Sequence, residues 1–159
     1  MRKILLAAAI LAVSACGFHL KGTQTYDKLP YIAWRVDGGA LQQVLENALR
    51  RADGVPVDAP QAQATITVTA VDTHKDVLTI TRAANINEYM LLLHVEAQAS
   101  RNGEPLGAPM VVEVRRTMDY ADSEVLGKQE EEATMWQEMR RDAAEQIVRR
   151  LAFVEAVKP

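Results

Sequence analysis

Cys16 is the residue whose place in the chain most clearly offers chemistry. It is the only cysteine, so it has no partner for an intramolecular disulfide, and it stands directly behind an apolar run from Ile4 to Val13. A lone cysteine is usually a buried, inert thiol. A thiol at the end of an export leader is instead presented as a nucleophile for modification. The other reactive side chains do not assemble in the same way. His19, His74 and His94 have no i, i+4 spacing, and no HExxH, GxSxG or glycine-rich phosphate loop occurs. His94 alternates onto the polar side of its segment, and Asp119, Asp122 and Glu124 read as a solvated acidic loop rather than a metal site. No nucleophile, base and oxyanion hole come together, so the chain is not expected to be an enzyme, nor to need a metal or a free cofactor.

The leader explains what the thiol is for. Arg2 and Lys3 form a positive n-region, the apolar stretch follows, and Ser14-Ala15 are small. A membrane-spanning helix needs roughly 20 apolar residues, and this run has about half that. Val13-Ser14-Ala15-Cys16 resembles a lipobox, with Val13 where leucine is commonest. That resemblance implies cleavage after residue 15, an S-diacylglycerol and an N-palmitoyl group on Cys16, and anchoring by more than one acyl chain, which stable attachment requires. Gly17 rather than aspartate follows, which under the lipoprotein sorting rule of Gram-negative bacteria implies the inner leaflet of the outer membrane, on the periplasmic side. Losing Arg2 and Lys3 leaves the mature chain more acidic than the formal charge of −3 for the whole. With export and no basic surplus, nucleic acid is excluded as a partner.

Behind the signal peptide (residues 1–15) and a lipidated tether (16–29), residues 30–155 read as one domain. Tyr31 to Val36 alternates as a half-buried strand, with Ile32, Trp34 and Val36 on one side. Leu41, Val44, Leu45, Ala48, Leu49 and Ala52 form a helical stripe over Ala40 to Asp53. Asp37 or a following glycine is a candidate cap, and Gly54 the expected left-handed terminus. Ala64 to Asp72, Val77 to Thr81, Glu88 to Ser100 and Met110 to Met118 read as strands, with a bulge or loop at Arg82 to Asn87 and a tight turn at Asn102-Gly103. A last helix runs from about Val125 to Phe153, with Asp122 or Ser123 as cap and a stripe of Ala133, Trp136, Met139, Ala143, Ile147 and Leu151. Trp34 and Trp136 read as core anchors. The order β-α-β-β-β-α predicts an α+β two-layer sandwich, with two helices on one mixed four-stranded sheet and its first two strands parallel. The opposite sheet face, with Thr65, Thr67 and Thr69, would be left for solvent or a partner.

Three stretches carry a closer resemblance. The first is Cys16-Gly-Phe-His-Leu-Lys-Gly22, and the second Asn87-Glu-Tyr-Met-Leu91. The third runs from Arg115-Arg116 and Asp119-Tyr120 through Leu126-Gly-Lys-Gln-Glu-Glu-Glu132 and Met135-Trp136 to Ile147-Val-Arg-Arg-Leu151. Together, in this order, they are similar to LptE, the lipopolysaccharide-assembly lipoprotein family. The resemblance implies two helices on a four-stranded sheet, and a plug and folding partner of the outer-membrane barrel LptD. It also implies contact with lipopolysaccharide at Arg82 and Lys128. Arginine offers a planar fork for phosphate, lysine a point charge, and a first helical turn adds free N–H groups. Against this, Lys128 is also spaced to pair with Glu131 or Glu132. The alternative function is an envelope-scaffold lipoprotein that makes no lipopolysaccharide contact.

Overall fold

The computed structural model describes residues 29–80, 86–119 and 125–155. Strand β1 (Ala33–Asp37) buries Trp34 and Val36 and turns Arg35 outward, as the two-residue period requires. The alternation does not extend to Ile32, which is 63% exposed, while Tyr31 is buried. Both precede the strand, and there Tyr31 is tied to the core by other means. Its carbonyl accepts from Trp34 Nε1 at 2.7 Å, and its ring meets the indole edge-on at 5.8 Å.

A single 3-10 turn (Gly39–Leu41) leads into helix α1 (Gln42–Arg51), which buries Leu45, Ala48 and Leu49. Of the expected caps it is the glycine that serves: Gly38 is the N-cap of the 3-10 turn, its carbonyl accepting from the Leu41 amide at 2.9 Å, while Leu41 takes that place for α1 itself. Asp37 is taken by Arg35 at 2.9 Å, and Gln42 Oε1 reaches back to accept from the Gly38 amide at 2.7 Å. At the other end Asp53, not Gly54, adopts the left-handed conformation (φ 61°). Aspartate tolerates that region because its short polar side chain bonds locally. Gly54 is needed for space instead: a Cβ there would lie 2.9 Å from Leu29 Cδ1 and 3.2 Å from the Leu49 carbonyl. Leu29, assigned to the tether from sequence, thus already packs on the core.

The sheet is mixed, but it has six strands rather than four. β3 (Ala64–Ile80) lies parallel to β1, with Trp34 beside Ala64, and antiparallel to β4 (Ile86–Arg101). β6 (Met110–Asp119) pairs with β4 on its other edge. The two additions are the two-residue strands β2 (Val55–Pro56) on β1 and β5 (Glu104–Pro105) on β4. β2 arises because the amides of Val55 and Val57 donate to the carbonyls of Ile32 and Trp34, at 2.7 and 2.9 Å. β5 follows from the Asn102-Gly103 turn, whose positive φ values fold the chain back on Ser100 and Arg101.

β3 runs unbroken through His74-Lys75-Asp76, since β4 supplies a register partner at each of these positions. A bulge between Val68 and Ala70 leaves Thr69 as the extra residue and exchanges the two faces of the strand. Directly opposite residues share a face. Ile66, Val68, Val71, Thr73 and Lys75 therefore lie on the side of the fully buried Ala99, Ala97, Val95, Leu93 and Leu91. Helix α2 (Val125–Leu151) covers that side together with α1. Its buried residues are Met139, Ala143, Ala144, Ile147, Val148 and Leu151. The expected stripe fails at its first residue, Ala133, which is exposed, while Trp136 is half-buried against the core. The helix also ends at Leu151, leaving Phe153 72% exposed. Asp122 and Ser123, the expected caps, lie outside the described residues. Among the described residues no helix is long and apolar enough to cross a membrane.

Candidate functional site

Of the residues singled out by sequence, Lys128 can be placed, while Cys16 and Arg82 lie outside the described residues. Arg82 belongs to the connection between β3 and β4. Lys128 sits at the start of α2 with its side chain only 16% exposed, and its ammonium donates to Glu131 at 2.8 Å. Of the two carboxylates within pairing reach, it is Glu131 that holds it. Glu132 is engaged elsewhere: Lys75 Nζ donates to Oε2 at 2.6 Å and Trp136 Nε1 to Oε1 at 3.2 Å. Lys75, from β3, also stands over the Tyr89 ring of β4, 4.3 Å from its centroid.

This four-residue group was not legible beforehand. Lys75 and Glu132 are 57 residues apart, and only the hairpin and the helix overlying it bring them together. Trp136, expected as a core anchor, packs half-buried against the core and also uses its indole N–H here. Burial pushes the Glu132 carboxyl up, but the hydrogen bonds from Lys75 and Trp136 and the charge of Lys75 outweigh it and hold the group below the ordinary carboxylate range.

The sheet face opposite the helices carries Thr65 and Thr67, then, past the bulge, Asp72 and His74; Thr69 is displaced from the stripe. Across β4 and β6 the same face shows Glu96, His94, Glu113 and Arg115, with Leu92 and Met90 half-buried among them. His94 Nε2 lies 3.3 Å from Glu96 and Nδ1 3.6 Å from Glu113. The bond to Glu96 raises the imidazole pKa above 6.5; partial desolvation opposes this and Glu113 reinforces it. A raised folded-state pKa means that the His94 contribution to stability is complete below the unfolded value and is lost as pH rises through the folded one. Urea midpoints of the native chain should therefore fall, relative to a His94→Gln variant, as pH rises from roughly 6 to 8. An imidazole NMR titration at or below 6.5 would contradict this.

Among the described residues no three His, Cys, Asp or Glu side chains gather as a metal would require; Asp122 and Glu124 of the acidic loop lie outside them. A groove of about 360 Å³ is lined by Leu29, Ala48, Ala52, Val148 and Arg149, with the Arg51–Glu145 pair at 2.9 Å beside it. That lining holds no nucleophile beside a base.

Residues 29–151 match the family model described as LptE, lipopolysaccharide-assembly. The LPS-assembly lipoprotein LptE of Yersinia enterocolitica is 31% identical over 160 residues, covering 98% of this chain and 77% of that protein. The protein of the same name from Pectobacterium atrosepticum is 31% identical over 156 residues, covering 95% and 84%. In fold, the chain is similar to lipoprotein B from Nitrosomonas europaea, with a TM-score of 0.70 at 22% identity over 86% of this chain and 90% of that one. Rare lipoprotein B from Shewanella oneidensis gives 0.65 at 23% identity, over 76% and 94%.

Proposed function

Because the chain belongs to the LptE family and its role is in lipopolysaccharide assembly, we propose that it acts at the outer membrane as plug and folding partner of the LptD barrel. Its mature end is held in the inner leaflet by S-diacylglycerol and N-palmitoyl groups on Cys16, with the domain on the periplasmic side. Arg82 and Lys128 contact lipopolysaccharide, whose lipid A phosphates are the natural counter-charge for a guanidinium and an ammonium. The chain works by binding, without catalysis.

The observation that carries this reading is the family match over residues 29–151. Lys128 adds a local reason. Its ammonium is drawn in at the first turn of a long helix, and the first amides of a helix, which have no partner within it, favour an anion. The pair with Glu131 is the cost of that placement, since phosphate must compete with a carboxylate for the same ammonium. A charged hydrogen bond contributes about 1.5–3 kcal/mol. Replacing Arg82 and Lys128 together by aspartate removes two such contacts and should weaken lipopolysaccharide binding by about a hundredfold or more, while the complex with the barrel still purifies. Unchanged binding with an intact complex would leave the plug and folding role alone. Failure to co-purify native chain with a barrel from gently solubilised outer membrane would overturn the partnership.

A further inference from the structure

Helix α2 is held to the domain in two different ways along its length. From Met139 onward it is seated by buried apolar side chains, whereas from residue 127 to 138 no side chain is fully buried. Half-buried Met135 and Trp136 give this leading half some apolar contact with the core. Its clearest fixed tie to the sheet is Glu132, whose two carboxylate oxygens are divided between β3, through Lys75, and its own helix, through Trp136. Lys75 is steadied in turn by the Tyr89 ring of β4. The side chains of Lys75 and Glu132 are only 34% and 25% exposed. Water therefore screens this pair less than the exposed ion pairs of the surface, whose contributions are commonly below about 1 kcal/mol.

Lys128 lies four residues before Glu132, and Trp136 four residues after it, so the three stand on one helix face, a turn apart. Where Glu132 is pinned, the ammonium one turn earlier is pinned with it. We propose that Glu132 is a positioning residue: clasped by Lys75 and Trp136, it sets the register of the leading half of α2 against the β3–β4 ribbon and so places Lys128 for an anionic lipid headgroup. The proposal rests on the reading of Lys128 as a phosphate contact. It gives Glu132 a function that its own charge opposes, because a carboxylate near a phosphate site is otherwise unfavourable.

That opposition makes the test decisive in sign. Glu132→Lys adds positive charge beside Lys128 and at the same time sets two ammonium groups against each other. If Glu132 matters only as a nearby negative charge, this variant binds purified lipopolysaccharide more tightly than the native lipoprotein. If Glu132 positions the helix, it binds about five- to tenfold more weakly, and amide exchange across residues 127–138 speeds up while that of residues 139–151 does not. The double variant Lys75→Glu with Glu132→Lys keeps the net charge and restores the pair in reverse. It should recover part of the lost binding and slow the exchange again, which a general loss of structure would not allow; the rest stays lost because a lysine at position 132 cannot accept from Trp136 Nε1. Tighter or unchanged binding by Glu132→Lys, or unchanged exchange in residues 127–138, overturns the proposal. Lys128→Asp in the full chain separates the two layers of the argument. If it binds as the native chain does, the phosphate reading of Lys128 fails; faster exchange in Glu132→Lys would still show the clasp.

Discussion

Trp34→Ala is expected to destabilise the domain by about 3–5 kcal/mol, the largest effect of any single side chain in it. Trp34 is fully buried, on a strand flanked by β2 on one side and β3 on the other. Its register neighbours are Pro56 and Ala64, neither large enough to fill the space an indole would vacate. The substitution therefore leaves a cavity, and also removes the 2.7 Å hydrogen bond to the Tyr31 carbonyl and the edge-on ring contact at 5.8 Å. Tyr31 is itself held by Arg101, whose guanidinium lies 5.2 Å from the ring. The damage should thus spread to the chain entry and to the end of β4. Domains of this size are stable by roughly 5–15 kcal/mol, so urea denaturation should show a midpoint lowered by about a fifth or more. Trp34→Phe keeps a ring and loses the donor, and should cost about 1–2 kcal/mol. A loss below about 1 kcal/mol for Trp34→Ala would mean that β1 is not a core strand.

Trp34 also shows what is legible in the sequence and what is not. Strands long enough to repeat their period declare both their existence and their buried side. Trp34 and Val36, Ile66, and the five alternate residues from Leu91 to Ala99 all follow it. The helix stripes do the same wherever a sheet lies beneath them. Period fails as a guide where a segment is too short to repeat or where the partner is remote. The strands at Val55–Pro56 and Glu104–Pro105 contain two residues each, and exist only because a neighbouring strand offers free carbonyls and amides. The bulge at Thr69 exchanges the faces of β3 without any mark such as glycine, so the threonine stripe ends one residue early. Asp53 takes the left-handed position expected of Gly54, and Gly54 is needed for its lack of a side chain. Ala133 is apolar and periodic, yet exposed, since its part of α2 lies beyond the buried core.

The candidate site divides along the same line. Lys128 is named by the family resemblance, and its pairing with Glu131 or Glu132 by helical spacing, because one helix holds all three; the fold selects Glu131. The Lys75–Glu132 contact could not be named from sequence, because it depends on where a hairpin lies relative to a helix formed much later in the chain. Polar clasps of this kind have no period. Each residue in isolation reads as a solvated charge or an ordinary aromatic. Only the low exposure of both charged side chains in the fold distinguishes the pair from the exposed Arg35–Asp37 and Arg115–Glu113 contacts.

The second large effect is expected at Cys16, and it is one of location rather than stability. Each buried methylene of an acyl chain contributes about 0.8 kcal/mol of membrane affinity; one chain gives only reversible binding, and further chains make attachment effectively permanent. The domain offers little to replace them: among the described residues no helix can span a bilayer, and the chain is net acidic, which disfavours anionic lipid surfaces. Cys16→Ala alone would confuse the result, since an uncut leader could still hold the chain through Ile4 to Val13. The informative variant joins Cys16→Ala to an ordinary cleavable secretory leader. It should move essentially all of the protein from the membrane fraction to the soluble periplasm, with the thermal midpoint of the domain unchanged. Mass spectrometry of the native chain should in parallel find Cys16 as the first residue, carrying its acyl groups. If the variant stays with the membrane in cells that have the barrel and leaves it in cells that lack the barrel, protein contact rather than lipid is the dominant anchor. If it stays in both, the lipid attachment assigned to Cys16 is not what holds this domain in place.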